Sequence, residues 1–166
     1  MQPFIPRKIT RLQHYDYASN GIYHLIFCTA SQKHILCRIV PAPNPMERAE
    51  VILSDIGRIT EECINNIEEK YACVEVIKYA VMPNHVHLLI AIDSTAQSKN
   101  EGRQVAAPTT GTVINQLKRN ITMIYGSSVW QKGYYDHIIK DETELENAWI
   151  YIEENPEKWE NDEYYR

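Results

Sequence analysis

No apolar run in this chain approaches the roughly 20 residues that a membrane-crossing helix needs. The opening stretch MQPFIPRKITRLQHYDY holds no apolar segment that could act as a secretory signal. Paired cysteines are missing too. Cys28, Cys37, Cys63 and Cys73 show no CxxC spacing, which removes the zinc-knuckle and dithiol redox classes. They read as buried thiols, and the chain as a cytoplasmic protein with no membrane partner. Positive charge is scarce as well. The 17 Lys and Arg against 22 Asp and Glu leave a net charge of −5. Bulk charge therefore does not point to nucleic acid, and such a partner would have to be recognised by a local site. What is present is ordinary: 44% hydrophobic and 23% charged residues over 166 positions. That suffices for one domain, 1–166, with its own core, and argues against disorder.

Pattern along the chain predicts the elements. Residues 22–29, IYHLIFCT, are β-branched and aromatic and read as a strand, which PAPNP (41–45) keeps from continuing. A helix of about 23 residues is expected from Glu47 to Glu69, because Ile52, Ile56, Ile59, Cys63 and Ile67 recur at intervals of 4, 3, 4 and 4. Residues 73–81 and 85–92 read as two strands broken by Met82-Pro83-Asn84, hence as an antiparallel hairpin. The polar, aperiodic stretch 93–110 predicts a mobile loop, 94–109. A second helix follows over 112–125, with Ile114, Leu117, Ile121 and Ile124 as its stripe and Gly126 as its C-cap. A strand over 134–140 and a helix over 142–154, with core stripe Leu145, Trp149 and Ile152, complete the chain. The order is β-α-β-β-α-β plus a final helix: an α+β, ferredoxin-like antiparallel sheet with helices on one face and an added C-terminal helix.

Three groups of residues carry chemistry. His85 and His87 sit two apart in one strand, so both imidazoles face one way while Val86 and Leu88 face the other. Such a pair suits a divalent metal; the plainer alternative is two histidines on a wet strand surface. In the last helix, Tyr151 lies off the core stripe with Asn155 one turn further along. A half-buried tyrosine followed by an ordinary helix end is the competing account. Finally, Trp130, Gln131 and Lys132 open an aromatic and polar block, WQKGYYDH, that suits stacking on single-stranded bases or else a turn into a strand with Trp130 in the core. Lys118 and Arg119 on the second helix, with Arg7, Lys8 and Arg11 near the start, form the candidate phosphate contacts.

The succession VMPNHVHLLI, a helix with Lys118, WQKGYYDHII and YIEENPEKW resembles the HUH-type single-tyrosine transposases. It resembles most the REP-associated tyrosine transposases, relatives of the smallest insertion-sequence transposases. RLQHYDYASNGIYHLIFCTA fits the same group, and the resemblance runs from Arg7 to Trp159. The motif H-x-H after M-P-N is moderately specific; combined with the WQ…YYDHII and Y-I-x-x-N-P blocks it is highly specific. The acidic balance and residues 93–110 depart from the pattern.

What the resemblance implies is concrete. His85 and His87 match the family's histidine pair, Tyr151 its nucleophile and Asn155 its polar third ligand. The expected activity is cleavage and rejoining of single-stranded DNA, with a hairpin, through a 5′-phosphotyrosine and a divalent metal. The mixed N/O ligand set suits Mg²⁺ or Mn²⁺. A replication-initiator-like nickase uses the same residues, and a domesticated or inactive DNA-binding protein would keep the sheet alone. Homodimer and monomer are both compatible with the resemblance.

Overall fold

The computed structural model describes residues 20–44, 46–95 and 107–165. Arg7, Lys8 and Arg11, and residues 96–106 of the expected 94–109 loop, lie outside the described residues.

A four-stranded antiparallel sheet organises the chain. Its strands are β1 (Gly21–Cys28), β4 (Val74–Val81), β5 (His85–Ile92) and β6 (Tyr135–Ile139), in the order β4-β5-β1-β6. Between β1 and β4 the chain forms a separate ribbon of β2 (Cys37–Val40) and β3 (Glu50–Leu53), then α1 (Asp55–Asn65) and the single turn α2 (Ile67–Lys70). Helix α3 (Thr110–Tyr125) links β5 to β6, and α4 (Glu142–Glu154) follows β6. With the ribbon set aside this is the ferredoxin-like order expected from the sequence.

Strand alternation separates two interiors. Tyr23, Leu25 and Phe27 of β1 join Val86, Leu88 and Ile90 of β5 under α1 and α3, whose Ile56, Ile64, Val113, Ile114, Leu117 and Ile121 fill the main core. The opposite face carries a smaller apolar cluster, Leu89 with Ala148 and Ile152 of α4. That same face holds His24, His85 and His87.

Local chemistry explains the helix ends. The Ser54 hydroxyl accepts from the Gly57 amide at 3.1 Å and caps α1. Gly57 is required by close approach, since a Cβ there would lie 2.0 Å from the Leu36 carbonyl oxygen. Thr109 and Asp141 cap α3 and α4 by accepting from Thr112 and Glu144. Gly126 ends α3 in the left-handed region at φ 90°.

Three sequence expectations are corrected. The helix read over Glu47–Glu69 is a strand, a cap and two helices. Glu50-Val51-Ile52-Leu53 pairs with Cys37–Val40, and Ser54 starts the helix only at Asp55. Ile52 matched the helical stripe by coincidence of spacing; it lies on the ribbon and is exposed. Trp149 and Ile124 are exposed too, and Ala148 and Val113 take the core positions instead. Trp149 lies beside the Lys78 ammonium, 4.3 Å from its ring centroid, where a cation–π contact replaces burial. Of the four cysteines only Cys37 is fully buried. All four are free thiols, and burial pushes Cys28 up to about 11 and Cys37 up to about 12.

Candidate active site

His85 and His87 are the first and third residues of β5, next to the central strand, and both are 0% exposed. The wet-surface alternative is thereby removed. Neighbouring side chains determine how their nitrogens point. The Asn84 Nδ2 group donates to the carbonyls of Tyr164 (2.8 Å) and Gln32 (3.3 Å), which orients the amide and leaves its Oδ1 as acceptor. That oxygen lies 2.8 Å from His85 Nδ1, so the His85 proton is on Nδ1 and its Nε2 is bare. His85 Nε2 faces His87 Nε2 at 2.9 Å, and His87 Nδ1 lies 3.1 Å from Nε2 of His24 on β1.

Burial sets the charge of this group. Desolvation lowers His85 to about 4, against the opposing pull of Asp162, and lowers His24 to about 4 with help from His137. Burial first, and then His85 and His24, push His87 well below its ordinary value. All three rings are neutral at pH 7, the state in which an imidazole nitrogen can ligate a metal.

The last helix brings the other partners. Tyr151 is 43% exposed, with its ring edge-on to His87 (centroids 5.3 Å) and to His24 (6.2 Å). Asn155, one turn on, is buried; its Nδ2 donates to Asp162 at 3.0 Å and its Oδ1 is buried with no hydrogen-bond partner among the described residues. Asp162 arrives from the segment after α4, and one ligand atom each from His85, His87 and Asp162 lie within 4.8 Å of one another. The same segment lays the Tyr164 ring 4.5 Å from His85 and the Trp159 ring 6.0 Å from it. Burial raises the Tyr151 phenol above its ordinary value, and the Asp162 and Glu163 charges add to this; a hydrogen bond from Asn155 acts the other way.

Helix α4 is held over the sheet by more than its two buried side chains. Glu153 binds both Lys78 of β4 and Arg48 before the ribbon's second strand, and these partners hold its carboxyl down at about 2. The Glu157 carboxylate accepts from the Ala49 amide at 2.7 Å. Beside Tyr151 a groove of about 480 Å³ is bordered by His24, Tyr135, His137, Asn147 and Tyr164.

The candidate DNA contacts fall into two sets. Lys132 and Arg119 are exposed and Gln131 is half-buried. The Gln131 amide bonds Cys28, the residue paired with His85, which places this turn at the histidine end of the sheet. Lys118 differs from the sequence reading, and Trp130 takes the core alternative that the reading left open. The Lys118 ammonium donates to the carbonyls of Gln131 and Gly133, and burial lowers it to about 8. Trp130 is buried edge-on against Phe27 at 5.0 Å, so it serves the core. Asp162, His24 and Asn84 are site residues the sequence reading missed. A histidine inside a strand of otherwise apolar and aromatic residues, and an Asn directly before H-x-H, were available signals; nothing local marks Asp162.

The neutral trio has a measurable consequence. The unfolded chain takes up protons on these histidines near pH 6.5, while the folded protein keeps His24 and His85 neutral until about pH 4 and holds His87 well below its ordinary range. More protons bound in the unfolded state mean that stability falls as pH is lowered through this window, by about 1.4 kcal/mol per pH unit for each such group at the steepest. The melting temperature of metal-free protein is expected to drop between pH 6.5 and 4, and to drop less steeply in His24→Gln. Equal slopes in the two proteins would contradict the assignment.

The fold and this site are met by a family match, and membership of that family makes the chain a DNA-cleaving enzyme of the transposase class. The model of the family described as "Transposase IS200 like" matches residues 17–155, and the chain belongs to that family. It is 29% identical over 174 residues to an uncharacterized protein of Haemophilus influenzae, covering 96% of this chain and 93% of that one. A second protein of that organism, named "Putative REP-associated tyrosine transposase", is 27% identical over 90 residues, covering 51% of this chain and 50% of its own. Among solved structures, a REP-associated tyrosine transposase bound to a REP hairpin superposes with a TM-score of 0.62 over 90% of this chain and 74% of that one. At 15% identity that likeness speaks for the fold. Among the described residues no helix is long and apolar enough to cross a membrane.

Proposed function

We propose that this chain is a strand transferase for single-stranded DNA carrying a hairpin. Tyr151 is its nucleophile, and His85, His87, Asn155 and Asp162 are the donors for a divalent cation, Mg²⁺ or Mn²⁺. The observation that carries this reading is one convergence: a bare imidazole nitrogen facing a second ring nitrogen at 2.9 Å, a buried amide oxygen without a partner among the described residues, a carboxylate, and a phenol beside them. Two nitrogens and two oxygens fit a cation that accepts mixed ligands. When bound, such an ion supplies Lewis-acid stabilisation of the charge that develops on a scissile phosphate.

The protein's own part follows from its geometry. Tyr151 Oη attacks phosphorus, the bond to the 3′ oxygen breaks, and that oxygen leaves as a 3′-hydroxyl while the phenol proton is lost. Asn155, by hydrogen bonding to the phenol oxygen, favours the phenolate against the burial and carboxylates that oppose it. The ester stays reactive because a phenol, with a pKa of about 10, is a far better leaving group than an alcohol. A later 3′-hydroxyl can therefore displace it without an energy source. The Tyr151 and His87 rings of one chain lie with centroids 5.3 Å apart, which supports a reading in which a single chain supplies the whole set. Lys132, Gln131 and Arg119 are assigned to the DNA backbone, with Arg7, Lys8 and Arg11 as further basic residues. The cytoplasm, where DNA is reachable, is the place of action.

The direction of cleavage tests the scheme. Hairpin-containing single-stranded DNA is labelled at either end and incubated with protein and Mn²⁺. The fragment 3′ of the break should stay covalently on the protein, and the other fragment should end in a free 3′-hydroxyl. Attachment through the opposite fragment, or cleavage that never yields an adduct, would overturn it.

A further inference from the structure

We infer that His24 is a positioning residue: its Nε2 accepts the Nδ1 proton of His87 and so turns His87 Nε2, bare, toward His85. This rests on the proposed cation site and adds to it a part that H-x-H does not contain.

Two ring nitrogens 3.1 Å apart share one proton, and there are two ways to place it. If His24 Nε2 carries it, a neutral His87 must hold its own proton on Nε2. That proton then points at His85 Nε2, 2.9 Å away, and closes a hydrogen-bonded chain across the sheet. If His87 Nδ1 carries it, His24 holds its proton on Nδ1 instead, each ring keeps one proton, and the two Nε2 atoms of β5 are both bare. Only the second arrangement leaves a pair of donors.

The rest of the surroundings leaves His87 and His24 as the adjustable members. His85 is committed, because Asn84 is oriented by two carbonyls and takes the Nδ1 proton. His24 is held on the central strand between Tyr23 and Leu25, whose side chains fill the opposite core, and it is 8% exposed. It stands directly across from His137 of β6 in the antiparallel register, while His87 is across from Ile26, so His24 reaches His87 diagonally. His137 in turn donates to Glu144 at 3.3 Å, which continues the polar row along this face. Ligating histidines commonly have their second nitrogen fixed by an acceptor of this kind, most often a carboxylate or carbonyl. Here an imidazole from the neighbouring strand fills that place.

The test compares Mn²⁺ affinity, read from the electron paramagnetic resonance of free Mn²⁺, in full-length wild type, His24→Phe, His24→Gln and His85→Ala without DNA. His24→Phe keeps the ring shape but has no acceptor and should bind about 10–100-fold more weakly. His24→Gln places an amide oxygen near the former Nε2 and should stay within a few-fold of wild type. Wild-type affinity in His24→Phe, or an equal loss in both variants, would overturn the inference. Should His24→Phe not fold, the wild-type protein still decides. In ¹⁵N-histidine spectra of the Mg²⁺-loaded protein, His24 should carry its proton on Nδ1; a proton on His24 Nε2 rejects the assignment. Wild type binding no more Mn²⁺ than His85→Ala would instead reject the cation site itself, whatever the His24 variants do.

Discussion

Tyr151→Phe is expected to reduce the covalent protein–DNA adduct to background while leaving fold, cation binding and DNA binding in place. The change removes one oxygen from a side chain that is 43% exposed, so stability should shift by no more than about 1 kcal/mol. The other tyrosines near the site act as controls, and the structure separates them. The Tyr134 hydroxyl lies 3.0 Å from that of Thr110, on the α3 side of the sheet. Tyr135 borders the groove from β6, across β1 from the histidine pair. Tyr164 is the serious rival, because its ring lies 4.5 Å from His85. Its phenol is pushed up, by burial first and by Cys28 and the nearby acidic groups after it. Its backbone carbonyl also holds Asn84, which ties this residue to orientation of the site. Denaturing gels after incubation with hairpin-containing single-stranded DNA and Mn²⁺ should show the adduct in Tyr134→Phe, Tyr135→Phe and Tyr164→Phe and lose it in Tyr151→Phe. An adduct that survives in Tyr151→Phe and disappears in Tyr164→Phe would move the nucleophile to the later residue.

The second large effect is on cation-dependent stability. A ligand present at a hundred times its Kd stabilises a folded protein by about 2.7 kcal/mol. For a chain of this size that is a rise in Tm of about 5–10 °C. His85→Ala should abolish the rise produced by Mn²⁺ in wild type. It should also lower the starting Tm, since it leaves a cavity and deprives the buried Asn84 oxygen of its partner. The increment and the baseline are therefore read separately. Asn155→Ala and Asp162→Ala decide between the two oxygen donors: the one whose loss shrinks the increment more is the closer ligand. Protons compete with the cation for these rings. Because burial holds His85 near 4 rather than near 6.5, the increment should persist to about pH 5, below the range where exposed histidines lose metals. An increment of full size in His85→Ala would exclude the histidine pair as its source.

Alternation along β5 was enough to place both imidazoles on one face, because side-chain direction in a strand depends only on residue parity. The same holds for Tyr151 and Asn155, four apart on a helix whose bounds, 142–154, were legible from its pattern. Sheet strands, their hairpin and the C-cap at Gly126 were equally local, each decided by turn chemistry or period. The β2–β3 ribbon was not, because Ile52 fits a helical stripe and a strand equally well, and only pairing with Cys37–Val40 selects between them. Exposure of Trp149 and burial of Trp130 depended likewise on partners distant in sequence, Lys78 and Phe27. The site follows the same division. Residue types and spacings singled out the histidine pair and the tyrosine as candidates, since those constraints lie within one strand and one helix, and the family resemblance supplied their expected roles. His24, Asn84 and Asp162 act across 63, 80 and more than 70 residues respectively, counted to His87, Tyr164 and the β5 pair. Which nitrogen carries a proton, and what charge the rings hold, is therefore a property of the packed interior, where burial and hydrogen-bond partners are assigned only once the sheet and the last helix have closed on each other.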